Sequence, residues 1–326
     1  MIRILITGGG GYIGAELVFE LLKENYKVTV LDLFLYGEDV LEDHINLIKV
    51  KGDIRDENLL TTHFKNQDII IHLACISNDP SFELNPKLGK SINLDPFEAM
   101  VKIAKKSGVQ RFVYASTSSV YGIKEEKNVT EDMTLEPLTD YSKFKVVCED
   151  ILLKNTSENF ITTVIRPATV CGFSRRQRLD LVVNILTNLA YHNRIITIFG
   201  GDQLRPNIHI KDMVNCYKKV IASDSKKING EIFNAGFENI KVLEIANKVK
   251  SILGDDIAIE KKVSNDNRSY HISSVKVQET LDFSPKYTID AAIKDLSQAF
   301  EKKQLNDPIK NIKYYNIKLM QSINLK

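Results

Sequence analysis

The chain predicts a doubly wound α/β fold, with a parallel sheet carrying helices on both faces and a smaller, interleaved α/β unit beside it. Three observations predict it. Short apolar runs alternate with amphipathic stretches, the pattern of strand–helix–strand units. Most of these runs are apolar throughout rather than alternating, as strands buried on both faces require. A glycine-rich turn, "ITGGGGYIGAEL" at residues 6–17, separates the first run from the first amphipathic stretch.

The elements follow in order. "IRILIT" opens the chain as a strand, and Tyr12 to Glu24 follows as a helix with Ile13, Leu17, Val18, Leu21 and Leu22 at helical spacing. "KVTVL", "INLIKVKGD", "DIIIHLA", "RFVYAS", "ITTVIR" and "EIFNAG" read as further buried strands. "PFEAMVKIAKKSG" and "YSKFKVVCEDILLK" read as helices between them. After Arg166 the pattern changes. "RLDLVVNILTNLA", "VLEIANKVKSILG" and "DAAIKDLSQAF" are helices and "IITIFGG" a short strand with a turn. This divides the chain into a larger domain over 1–170, with 205–236 returning to its sheet, and a smaller domain over 171–326. The tail "KNIKYYNIKLMQSINLK" is basic and weakly amphipathic, and reads equally as a docking helix or a frayed end.

Bulk properties narrow the function class. The 326 residues are 43% hydrophobic, enough for a large core, and net charge is only +2. No basic block interleaved with aromatics appears, so nucleic acid is not an expected partner. Cys75, Cys148, Cys171 and Cys216 lie far apart without metal-ligand spacing and read as reduced thiols. His192, His209 and His271 likewise have no partners at metal spacing, and no metal is expected. No signal peptide or membrane-length apolar run is seen, so the expected location is cytoplasmic.

Gly8, Gly11 and Gly14 carry the argument for a phosphate. Gly8 makes the turn, Gly11 admits a pyrophosphate to the helix N-terminus, and Gly14 lets the helix pack on the strand. Asp32 ends the second strand, where a carboxylate accepts hydrogen bonds from both ribose hydroxyls and repels a 2′-phosphate. No arginine follows at 33–35, so NAD is favoured over NADP. Asp53, in "KGDIRD", is placed to bond the adenine amine or to cap the next helix, and Ile54 to pack on the adenine face.

Tyr141 and Lys145 stand four apart on one helix face. A cation beside the phenol, and a nicotinamide nearby, lower a pKa that ordinarily lies near about 10. Tyr141 then serves as a base for a hydroxyl proton, and Lys145 can hold the nicotinamide ribose. A hydroxyl cluster, "YASTSSVYG", precedes them at the end of the fifth strand.

Taken in order, these motifs, with "HLA" at 72–74 and "IRPATVCG", resemble the extended short-chain dehydrogenase/reductases. The nearest resemblance is to the NAD-dependent nucleotide-sugar epimerase/dehydratase group, with a Rossmann domain, and covers the chain to about residue 300. It implies cofactor contacts from Gly8, Gly11, Tyr12, Ile13, Gly14, Asp32, Asp53, Ile54, Leu73, Ala74, Tyr141 and Lys145. It implies catalysis by Thr117, Tyr141 and Lys145. It implies substrate contacts from Ser116, Thr117, Ser118, Thr169, Arg178, Arg205 and Arg268. Helices near Asp95 to Lys106 and Tyr141 to Lys154 match those that form a homodimer in the family.

Departures from the family pattern narrow the reaction. Related 4,6-dehydratases carry an Asp and a Glu where this chain has Ser118 and Ser119, and a serine is no carboxylic acid. Elimination of water is disfavoured unless a carboxylate arrives from elsewhere. Oxidation at C4 remains, leading to a 4-epimerase or, as the alternative, a 4-dehydrogenase releasing a keto-sugar. A dinucleotide-sensing regulator is the reading of a different class, opposed by the retained Thr117, Tyr141 and Lys145. Thr169 and Cys171 replace the usual Asn and Tyr of the sixth-strand motif. "SRRQRLDLVVN" resembles a subgroup acting on nucleotide-linked sugars of bacterial surface polysaccharides, heptoses included; Arg175, Arg176 or Arg178 there can meet a diphosphate. Ser274 replaces an Asp at a helix start, where serine can still cap.

Overall fold

The apolar runs become strands in the order read from the sequence. The structure, a computed structural model, describes residues 1–263, 271–323 and 325. The elements are β1 (Arg3–Thr7), α1 (Tyr12–Lys23), β2 (Lys27–Asp32), β3 (Leu47–Lys51), α2 (Glu57–Phe64), β4 (Ile69–His72), α3 (Asp79–Glu83), α4 (Pro86–Asn93), α5 (Phe97–Lys106), β5 (Arg111–Ala115), α6 (Asp140–Lys154), β6 (Ile161–Pro167) and β7 (Thr169–Cys171). They continue as α7 (Val182–Asn193), β8 (Ile195–Phe199), β9 (Leu204–His209), α8 (Ile210–Ala222), α9 (Ser225–Ile228), β10 (Glu231–Ala235), β11 (Glu238–Lys241), α10 (Val242–Leu253), β12 (Ala258–Lys262), α11 (Val275–Leu281), α12 (Ile289–Glu301) and α13 (Asn316–Ile323). Among the described residues, no helix is long and apolar enough to cross a membrane.

The main sheet has seven strands in the order β10-β6-β5-β4-β1-β2-β3, and all neighbours are parallel. The chain winds outward from β1 to β3, crosses back to β4, and winds the other way. That reversal opens a crevice beyond the carboxyl ends of β1 and β4, where such sheets bind ligands. Alternate residues feed two cores. Ile4, Ile6, Val28 and Val30 pack with Leu17, Val18 and Leu21 of α1 and Met213 and Tyr217 of α8. Leu5, Leu31, Ile70 and Phe112 pack with Leu60, Phe64, Met100, Val101 and Leu152 from the opposite helices. Burying one such side chain contributes on the order of 1.5–3 kcal/mol.

Four expectations need correction. β3 is not buried on both faces; it is the sheet edge, with Ile48 61% exposed, because no further strand covers it. α7 begins at Val182 rather than near Arg178, since the preceding loop is spent on contacts to the cleft. Within 205–236, α8 packs on α1 and β10 joins the main sheet, but β9 does not. It pairs with β7 and β11 in a separate three-stranded sheet, while β8 and β12 form a parallel pair. Ser274 precedes α11 without capping it; its hydroxyl accepts the Gly236 N–H at 2.8 Å instead.

The tail is a docked helix. Tyr315 is buried with Leu179, Leu296 and Phe300, its hydroxyl donating to the Pro308 carbonyl at 2.8 Å. From there α13 runs on to pack against α3.

Candidate active site

The glycine loop is shaped by close approaches. Gly8 has φ +74°, and a Cβ there would stand 2.5 Å from the Ala74 nitrogen. A Cβ on Gly14 would stand 2.5 Å from the Gly8 oxygen and 2.7 Å from the Gly9 Cα. The close approach at Gly14 is therefore to the loop rather than to the strand. Contact with the neighbouring strand falls to Gly9, whose Cβ would meet Val30 side-chain atoms at 2.8 Å. Gly11 starts α1 with no side-chain cap and no acid in the first turn, so the helix N-terminus faces the cleft as an anion site.

Asp32 sits beside that loop. Its carboxylate accepts the Gly10 N–H at 2.9 Å and the Phe34 N–H at 2.7 Å. Burial pushes its carboxyl above the usual aspartate range, against the pull of those two bonds and the Arg176 guanidinium. Phe34 holds φ +50°, an uncommon conformation for a bulky residue, and thereby aims its N–H at Asp32. Asp53 lines the same cleft but binds Arg55 at 2.6 Å. Burial raises its carboxyl, yet Arg55 holds it below the usual range. The cap of α2 is Asp56, not Asp53. Ile54, Leu73 and Ala74 line the cleft, and the Leu73 N–H donates to the Thr7 carbonyl at 2.9 Å. Tyr12 is turned inward, its hydroxyl donating to the Gly172 carbonyl at 2.7 Å.

The hydroxyl cluster and the tyrosine face this cleft. Thr117 caps a tight helical turn, Ser118–Tyr121, accepting the Ser119 N–H at 3.2 Å. Ser116 reaches the cleft, but its hydroxyl is given to Glu149. It supports β5 rather than offering a free contact. Glu149 is in turn bridged by Arg166, with Nη2 2.6 Å and Nε 3.1 Å from its carboxylate oxygens. Tyr141, Lys145 and Glu149 follow one another on a single face of α6. One end of that face is locked to β5 by Glu149. The other is locked to α3, where the Thr139 hydroxyl donates to Asp79.

The acidity of Tyr141 differs from expectation. Its hydroxyl is pushed well above the usual tyrosine value, first by burial and then by Cys75 and Asp79; Arg178 and the Asn78 N–H pull it down. Lys145 is not the lowering charge, because its ammonium is committed to the Ala115 carbonyl at 2.6 Å and lies 5.8 Å from the Tyr141 ring centre. Asn78, at φ +75°, is the residue whose backbone N–H reaches the phenol.

Substrate candidates from the smaller layer line the other end. Thr169 lies on β7 and Arg205 on β9, and both border the cleft. Arg178 is 7% exposed, with Nε 2.6 Å from Asp180 and Nη1 3.0 Å from the Ser77 hydroxyl. Its Nη2 is buried without a partner, as is Nε of Arg176, which stacks 3.3 Å over the Tyr36 ring. Arg268 lies outside the described residues. Tyr36, Ser77, Asp79 and Asn316 also border the cleft and were not singled out in sequence, since no local motif marks them.

The cleft has a volume of about 1030 Å³ and runs from Gly8 to Arg205. That is at the top of the roughly 300–1,000 Å³ range for one small ligand, and suits two ligands end to end.

Comparison with known proteins places the chain in a family and agrees with its fold. The model of the NAD dependent epimerase/dehydratase family matches residues 4–236. The UDP-glucose 4-epimerase of Lactobacillus helveticus is 27% identical over 87% of this chain and 92% of its own. The dTDP-D-glucose 4,6-dehydratase of Dictyostelium discoideum is 29% identical over 77% of this chain and 62% of its own. The solved UDP-glucose 4-epimerase of Thermotoga maritima, with UDP-glucose, superposes with a TM-score of 0.85 at 24% identity, covering 93% of this chain and all of that one.

Proposed function

The chain belongs to the NAD dependent epimerase/dehydratase family, and on that premise we propose that it acts with NAD at C4 of a nucleotide-diphosphate sugar as a 4-epimerase. The observation carrying this reading is that Thr117, Tyr141 and Lys145 open onto the same cleft as the glycine loop and Asp32. The residues fit NAD. A Cβ at Gly8 or Gly14 would collide with the backbone that shapes the loop, the α1 N-terminus behind it has no acidic residue in its first turn, and Asp32 offers a carboxylate for ribose hydroxyls. Gly11, Tyr12 and Ile13 would hold the pyrophosphate, Ile54 the adenine, and Lys145 the nicotinamide ribose. When bound, NAD supplies reversible acceptance of the C4 hydrogen with its electron pair.

The chain's own residues handle the proton. Tyr141 takes the C4 hydroxyl proton while Thr117 holds the C4 oxygen. Burial opposes the phenolate, so the charge that favours it must come from Arg178, the Asn78 N–H and the cofactor's positive ring. Arg178 and Arg205 meet the substrate diphosphate. The α5 and α6 faces form a homodimer interface, and a role in surface-polysaccharide synthesis fits the substrate class. A second reading, 4,6-dehydration, is favoured by one observation: Asp79 borders the same cleft and supplies the carboxylate that Ser118 and Ser119 lack.

Incubation with UDP-, GDP-, dTDP- and CDP-sugars, GDP-heptose included, tests the proposal by NMR with NADH absorbance in parallel. A new C4 stereoisomer without net NADH is expected. Net NADH with a keto-sugar identifies a 4-dehydrogenase, and a 6-deoxy-4-keto product a dehydratase. Tyr141→Phe is expected to lower turnover by roughly 10²–10⁴-fold in a protein that still melts normally. Unchanged turnover would rule out the tyrosine mechanism.

A further inference from the structure

We propose that the C-terminal helix α13 is part of the cofactor site, and that Asn316 ties it across the cleft so that NAD stays bound from one turnover to the next. The inference rests on the functional reading above and goes beyond the family match, which ends at residue 236.

Asn316 is a junction. Its Oδ1 accepts the Tyr36 hydroxyl at 3.0 Å and the Arg176 Nη2 at 2.6 Å. Its Nδ2 donates to the Ser77 hydroxyl at 3.1 Å, and its backbone N–H to Asp180 at 2.9 Å. Tyr36 follows β2 and Ser77 follows β4, while Arg176 and Asp180 come from the loop before α7. One side chain, 5% exposed, thus joins both banks of the crevice.

The helix and the chain after it continue along the cleft. Met320 and Leu325 border the cleft and pack against the cluster that contains Leu31, Ile54 and Ile76. Leu31 and Ile54 flank the end assigned to the adenosine. A dinucleotide seated between Asp32 and Ile54 shares its cleft with Asn316 and Met320 of α13, and the Asn316 bonds across the crevice hold it in. Two of the four Asn316 bonds, with Arg176 and Asp180, involve charged groups and are stronger than neutral ones. A resident cofactor suits a reaction whose oxidation and reduction cancel, since it ends each cycle unchanged. A reaction that consumes NAD needs the opposite.

The test is the rate at which NAD leaves the purified, NAD-loaded protein. Released NAD is trapped by an excess of a second dehydrogenase and followed as NADH absorbance. Asn316→Ala and, separately, Met320→Ala are compared with the unaltered protein, with melting of each ligand-free form as a control. Asn316→Ala is expected to speed release by about tenfold or more, equivalent to about 1.4 kcal/mol. Hydrogen exchange of residues 316–323 is expected to slow when NAD is added. Release rates within about twofold in both variants, with no added protection of α13, would overturn the role of the tail while leaving the function standing. An unaltered protein that binds no NAD would instead overturn the functional reading, and the tail's role with it.

Discussion

Two regions of this molecule bury arginine, and they do so differently. Behind the hydroxyl cluster, Arg166 and Glu149 are each 3% exposed, and every guanidinium nitrogen has a partner: Glu149, the Tyr121 hydroxyl at 2.8 Å, and the Glu131 carbonyl. In the cleft wall, Arg176 and Arg178 are as deep, yet each keeps a buried nitrogen without a partner. The charge balance follows the nearest carboxylate. Burial alone would lower Arg166, but Glu149 outweighs it and lifts the guanidinium above its usual range. Asp180 does the same for Arg178, while at Arg176 burial wins and the shift is downward. A buried donor left unsatisfied costs about 1–3 kcal/mol. The first region holds the site still, and the second borders the cleft.

The largest effect should come from breaking the paired region. Glu149→Ala strands a buried guanidinium and is expected to cost about 3–5 kcal/mol in urea unfolding. Replacing both partners, Glu149→Leu with Arg166→Met, should recover most of that stability. Failure to recover it would mean the pair does more than satisfy itself. Ser116 loses its acceptor in either variant, so turnover should fall even where stability returns.

A smaller effect is expected in the cleft wall. Arg178→Lys keeps the charge beside Asp180 but loses the fork. Nucleotide-sugar affinity by calorimetry should fall about tenfold, while unfolding changes by less than about 1 kcal/mol. An equal loss of stability would erase the distinction between the two regions.

The smallest is a pH effect at Asp32. On the proposed reading NAD binding draws on its carboxylate, and burial raises that carboxyl above its ordinary value of about 3.9. Affinity is therefore full above the raised value and declines as pH falls through it, earlier than for an exposed aspartate. In Asp32→Asn this acidic decline should vanish from NAD titrations, leaving a weaker, flatter profile.

Much of the geometry around the glycine loop was legible in the sequence because its signals are local. Gly8, Gly11 and Gly14 lie within seven residues, and Asp32 ends the next strand. The Tyr141–Lys145 spacing placed both on one face of α6, and Glu149 continues that face one turn on. The direction of the Tyr141 shift was not legible, since Lys145 turned to the Ala115 carbonyl and burial dominated. The exposure of β3 was not legible either, because a strand's place in the sheet order is absent from its own composition.

By itself, then, the sequence determined the strand–helix alternation, the glycine turn before α1, the aspartate that ends β2, and the spacing that puts Tyr141 and Lys145 on one face of α6. Each depends on residues a few positions apart, where backbone periodicity alone sets the geometry. Only the tertiary structure decided which arginines are satisfied and where the tail goes. Asn316 meets Tyr36 across 280 positions, and Ser77 across 239. No periodicity spans such distances, so those contacts exist only once the two layers have closed on each other.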